Sequence, residues 1–106
     1  MTRAPHEPDS TNPVLAAFVA QARACLGIAR VVLFGSRARG DAHARSDYDF
    51  AVTAPQLSAL ERAAFAARWQ ETKPTLLATD IVWLDEAANG ALGERIRTEG
   101  VEIYVR

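Results

Sequence analysis

The 106-residue chain has a single cysteine, Cys25, so it holds no internal disulfide and no multi-cysteine zinc site. It also has a single lysine, Lys73; its other eleven basic residues are arginine, set against thirteen acids for a net charge of -1. The balanced charge argues against a dedicated duplex-binding protein with a uniformly basic surface, and no direct, stable nucleic-acid binding is expected. The arginines still leave local contacts with phosphate or carboxylate open. No apolar run approaches the ~18 residues of a membrane span, and the polar stretch 1–12 (MTRAPHEPDSTN) has no apolar segment of the signal-peptide kind. A cytoplasmic protein with no membrane partner is the expectation. Glycine is sparse too. Gly35 and Gly40 have the spacing of a P-loop, but Asp41 stands where that motif needs lysine, and no third glycine completes a dinucleotide fingerprint.

Hydrophobic residues make up 49% of the chain, but 21 of them are alanine. The larger apolar side chains that remain suffice for one small layered domain and not for two. Residues 1–12 read as a disordered arm and 13–106 as the folded domain. Asn12 and Pro13 form an N-cap and first helical residue, and Val14, Leu15, Phe18, Ala22, Cys25 and Leu26 fall on one helical face before Gly27. Ile28 to Phe34 is a short β-branched strand, and a polar loop runs from Arg37 to Ser46. Asp47 to Val52 alternates as a second strand. Pro55 opens a helix to about Glu71, with Leu57, Leu60 and Ala64 facing inward. Thr79 to Leu84, a short helix over Ala91 to Thr98, and Val101 to Val105 complete an α-β-β-α-β-α-β order. This pattern predicts an α/β (α+β) domain: a small mixed β-sheet with helices packed on it.

The chemistry gathers between Gly35 and Val52 (GSRARGDAHARSDYDFAV). Gly35-Ser36 follows an apolar strand directly, where glycine admits close approach of a ligand and the next amides and hydroxyl can meet phosphate oxygens. Asp47 and Asp49 are two apart on a predicted strand, which points both carboxylates to one face and Tyr48 and Phe50 to the other. Such a pair repels itself unless a cation intervenes, and Mg2+ suits it, because Mg2+ takes one or two carboxylates plus substrate phosphates. Asp80 heads a separate apolar strand. If that strand lies beside the one carrying Asp47 and Asp49, three carboxylates converge, and with two Mg2+ ions they suit in-line phosphoryl or nucleotidyl displacement. Taken singly, each feature has an ordinary reading as a turn or a solvated strand end. Asp85 is a weaker competitor for the third position.

Gly-Ser, ten intervening residues, D-x-D, and an aspartate leading a later strand together resemble the polymerase-beta-like nucleotidyltransferase superfamily. The chain is most similar to its smallest branch, the minimal nucleotidyltransferase (MNT) family, whose members act as antitoxins beside HEPN-domain RNase toxins. The likeness spans GSRARG, SDYDFAV, TDIVWL and IRTEGVEIYV. It implies the polymerase-beta-like fold, with Gly35 and Ser36 holding the triphosphate of ATP and Asp47 and Asp49 binding both metals. It also implies that Asp80 completes the catalytic metal and helps deprotonate the acceptor. Arg37 and Arg39, beside the phosphate loop, are candidates for neutralising β- and γ-phosphate charge. A domain this short spends its residues on the sheet, so its acceptor surface is expected from a partner. The leading expectation is therefore AMP transfer to a tyrosine of a HEPN-domain toxin, within a hetero-oligomer. A non-catalytic antitoxin that acts by binding, and an aminoglycoside-type small-molecule nucleotidyltransferase, are the alternatives.

The remaining candidates have plainer readings. His43 is an exposed loop histidine, His6 belongs to the arm, and Cys25 is a small core residue. Trp69 and Trp83 could stack on a base but read as core. Arg62 and Arg68, alternating with acids on the second helix, read as a solvated face.

Overall fold

A computed structural model describes residues 12–87 and 89–106. The arm read at 1–12 lies outside the described residues, apart from Asn12. That residue belongs to the folded part: its side-chain Oδ1 accepts from the amides of Val14 (2.8 Å) and Leu15 (3.2 Å) and so caps helix α1, Pro13–Ala24. Pro13 at the first position adds a preset φ. Helix α1 ends earlier than its apolar pattern suggests. Arg106 supplies the physical reason, donating to the carbonyls of Ala22, Arg23 and Cys25 and closing the helix there. Leu26, expected on the inner face, is consequently 82% exposed, and Cys25 is only half-buried.

Four strands follow: β1 (Arg30–Phe34), β2 (Tyr48–Thr53), β3 (Thr79–Trp83) and β4 (Val101–Val105). They form one sheet in the order β3-β2-β1-β4. Strand β1 pairs antiparallel with β2 and β4, whereas β2 and β3 are parallel. A parallel pair needs a crossover, and helix α3 (Ala59–Thr72) provides it. Helix α3 starts later than Pro55, because Ser58 and Glu61 form a capping box while residues 54–57 make a turn. Its inward face is therefore Phe65 and Trp69. Leu57 does pack partly inside, but Leu60 and Ala64 are exposed. Helix α5 (Ala91–Glu99) matches expectation to within a residue. Two one-turn helices, α2 (Ser36–Arg39) and α4 (Leu84–Ala87), were not anticipated.

Helices α1 and α3 cover one sheet face. Phe18 stacks on Phe50 with ring centroids 3.9 Å apart, and Trp69 meets Phe18 edge-on at 4.9 Å. All three are fully buried, and each contributes about 1.5–3 kcal/mol by leaving water. Trp69 is thus core, as expected, and Trp83 packs edge-on against Phe65. The other face carries a smaller cluster: Val32, Phe34 and Ala51 from the sheet, with Ile96 of α5 over them. Among the described residues no helix is long and apolar enough to cross a membrane.

Candidate active site

Alternation along β2 sends Tyr48, Phe50 and Val52 into the large core, so Asp49 emerges on the opposite face with Ala51. The same alternation along β3 buries Thr79 and brings out Asp80. Parallel pairing then sets Asp49 directly opposite Asp80 in register. Burial, together with the charge and hydrogen bond of Asp80 and the charge of Asp47, pushes the Asp49 carboxyl above its ordinary value. Asp47 stands one residue ahead of β2, exposed and within electrostatic reach of Asp49.

Several contacts fix these strands. Thr79, buried beside Asp80, accepts from Trp69 Nε1 at 2.9 Å and from Gln70 Nε2 at 3.2 Å, which ties α3 to the head of β3. The Tyr48 amide donates to the Ala78 carbonyl at 3.1 Å, and Asn12 Nδ2 donates to the Tyr48 hydroxyl at 3.1 Å. The cap of α1 thus also braces the strand that carries Asp49.

Gly35 ends β1 at the pair's side. Its φ is +77°, and a Cβ built on it would collide with Asp49 Oδ2. Only glycine serves here, for backbone conformation and for space. Ser36 begins α2, whose first amides have no intrahelical acceptor, and Gly40 closes that turn in the left-handed region. The stretch read as loop is therefore a helical turn followed by a tight bend over 43–46.

The two arginines of that stretch behave differently from each other. Arg37 donates through Nη2 to the Ser46 carbonyl at 2.8 Å and lies over the Tyr48 ring at 4.1 Å. It pins the segment that delivers Asp47. Arg39 is exposed and pairs with Asp41 and Glu99, both at 3.2 Å; the hydrogen bond to Asp41, ahead of Glu99, raises its pKa further. His43 serves its own bend, its Nδ1 accepting from the Arg45 amide. Asp85 is taken up by Arg62 at 2.6 Å and by the Ala54 amide, so it does not compete with Asp80. Arg62 is correspondingly not a solvated side chain; it is largely buried, donating also to Glu86 and the Ala54 carbonyl.

One cation near the pair escaped the sequence reading. Arg95 of α5 lies 6.0 Å from the Phe34 ring centroid, and its charge acts on Asp49, opposing the rise in its pKa. The only signal was its place on α5, which has no meaning until α5 is packed beside Phe34.

Among the described residues no three His, Cys, Asp or Glu side chains are placed to hold a metal ion together, so the close group is the Asp49–Asp80 pair, with Asp47 at its edge. The donors present nevertheless fit Mg2+. A carboxylate pair that repels itself, with a glycine keeping one flank clear, suits an ion that takes the rest of its shell from phosphate and water. Acid pair, glycine-serine turn and mixed sheet together make a small α/β domain that presents carboxylates to a glycine-bounded flank, a donor set that a divalent cation and phosphate oxygens would fit. The comparisons narrow this further. Residues 20–106 match the family Polymerase beta, Nucleotidyltransferase, and the chain belongs to that family. No curated protein matches it in sequence. Among solved structures, a chain of a toxin–antitoxin crystallised with AMP-PNP is 24% identical with TM-score 0.68; the match covers 87% of this chain and 73% of that one. A chain from a point mutant of the toxin–antitoxin MntA-HpeT is 25% identical with TM-score 0.65, over 86% and 72%. These likenesses agree with the four-stranded mixed sheet described above.

Proposed function

We propose that this chain is a Mg2+-dependent nucleotidyltransferase that acts as an antitoxin, transferring AMP from ATP to a tyrosine of a HEPN-domain RNase toxin. The observation that carries the chemistry is the Asp49–Asp80 pair, set in register across parallel strands and flanked by Gly35. Asp47, Asp49 and Asp80 would hold Mg2+, which when bound neutralises phosphate charge and stabilises the attacking and leaving oxygens. Gly35 leaves room for Asp49 and for the triphosphate, while the Ser36 hydroxyl and the first amides of α2 orient its oxygens. Asp80, exposed on edge strand β3, accepts the proton of the incoming tyrosine hydroxyl. The tyrosine oxygen bonds to the α-phosphorus, the bond to the β-phosphate oxygen breaks, and pyrophosphate leaves.

The antitoxin role is supported by the two similar structures, both toxin–antitoxin pairs and one holding an ATP analogue. AMP added near an RNase site brings negative charge and bulk, and either opposes RNA, whose binding depends on phosphate neutralisation. The test is transfer of label from ATP labelled at the α-phosphate, with Mg2+ and the co-expressed toxin. Label on the toxin that disappears with Asp47→Asn/Asp49→Asn is the expected result. A tight, inhibited complex without label would replace transfer by a binding antitoxin.

A further inference from the structure

Helix α5 is packed on the sheet by Ile96, and this places the Arg95 flank over Phe34, the residue that precedes Gly35 and pairs with Asp49 across β1 and β2. Arg95 forms an ion pair with Glu99 Oε1 at 3.6 Å, and Arg39 of α2 hydrogen-bonds the same oxygen at 3.2 Å. One carboxylate oxygen therefore gathers guanidiniums from two elements that are far apart in sequence and adjacent at the site. Neither arginine is buried, so exchanging a carboxylate oxygen for a phosphate oxygen demands little desolvation. Arg37, by contrast, is occupied by the Ser46 and Ala44 carbonyls.

We infer that Arg95 binds the β- and γ-phosphates of the nucleoside triphosphate, with Glu99 as the residue that positions Arg95 and Arg39 for it. Cross-strand partners share a face, so a fork over Phe34 lies on the same face of the sheet as Asp49. A guanidinium matches two oxygens of one phosphate at once, which an ammonium cannot do. The site thereby distinguishes triphosphate from monophosphate by a residue outside the Gly-Ser and D-x-D motifs. This rests on the nucleotidyltransferase reading.

The experiment is calorimetric binding of AMP-PNP and of AMP, with Mg2+, to the parent chain and to Arg95→Ala, Arg95→Lys and Arg97→Ala. Arg97, paired with Glu94, serves as the charge-matched control. Arg95→Ala is expected to weaken AMP-PNP on the order of tenfold or more, leaving AMP within about twofold. Arg95→Lys recovers part of that loss, and Arg97→Ala changes neither nucleotide. Thermal midpoints near the parent's show that each variant is folded. Equal AMP-PNP affinity in Arg95→Ala and parent overturns the inference and leaves the nucleotidyltransferase reading standing. A parent that binds no AMP-PNP overturns both.

Discussion

Asp49 is held in the folded chain where its charge is least welcome, partly buried and facing Asp80 with Asp47 nearby. Its carboxyl therefore binds a proton more tightly folded than unfolded. The sign follows from linkage: below the unfolded value both states are protonated and nothing is lost, and stability falls as pH rises through the raised folded value. The penalty is complete only above that raised value. Asp49→Asn is accordingly expected to raise the melting temperature by a few degrees at pH 7, with the gain shrinking as pH drops toward the unfolded carboxyl value. Mg2+ is expected to raise the melting point of the parent and not of the variant, because Asp49 is one of its proposed ligands. Calorimetry from pH 4 to 8, with and without Mg2+, checks both. A variant less stable than its parent at pH 7 would show that the pair is held by something other than repulsion. At this scale the sequence was informative. Period-two alternation alone put Asp49 opposite in face to Tyr48 and Phe50, and Gly35-Ser36 could be named beforehand. The contact between Gly35 and Asp49 could not, since it depends on β1 and β2 pairing side by side.

Helix α3 shows what element boundaries cost a sequence reading. Pro55 looks like its first residue, but the Ser58–Glu61 capping box is the stronger start, and the face the helix buries is that of Phe65 and Trp69, which leaves Leu60 and Ala64 outside. Arg62 then points inward, over the Trp83 ring and onto Asp85, Glu86 and the Ala54 carbonyl. A side chain so enclosed acts as a bolt joining α3, α4 and the end of β2. Arg62→Ala is expected to destabilise the domain by about 2–4 kcal/mol, since it strands the Asp85 carboxylate as well as losing the packing of the stem. Urea denaturation measures this. Arg68→Ala, at an exposed position on the same helix, is expected within about 0.5 kcal/mol of the parent. Arginines alternating with acids look like a solvated face, because periodicity does not show which of them finds buried acceptors.

At the scale of the molecule, the element list was legible and the order β3-β2-β1-β4 was not. Four strand segments of the right lengths do not say which of them neighbour one another. The contacts that decide it join distant residues: Asn12 to Tyr48, Trp69 to Thr79, and Arg106 to the end of α1. The parallel pairing of β2 with β3 matters most for function, because Asp49 and Asp80 meet only after the whole of α3 has crossed over the sheet. That has a kinetic consequence. Pairings of high sequence separation form late, when most of the chain is already ordered. An ion that needs both carboxylates has little to bind before then, so it stabilises the finished domain without helping it form. Mg2+ should therefore leave the refolding rate nearly unchanged and slow unfolding severalfold, which stopped-flow tryptophan fluorescence would resolve. Faster refolding in Mg2+ would mean that the two strands meet early. If unfolding is the limb that responds, the ion acts as a brake on loss of the folded domain, and a cell's free Mg2+ would set how long each folded copy survives.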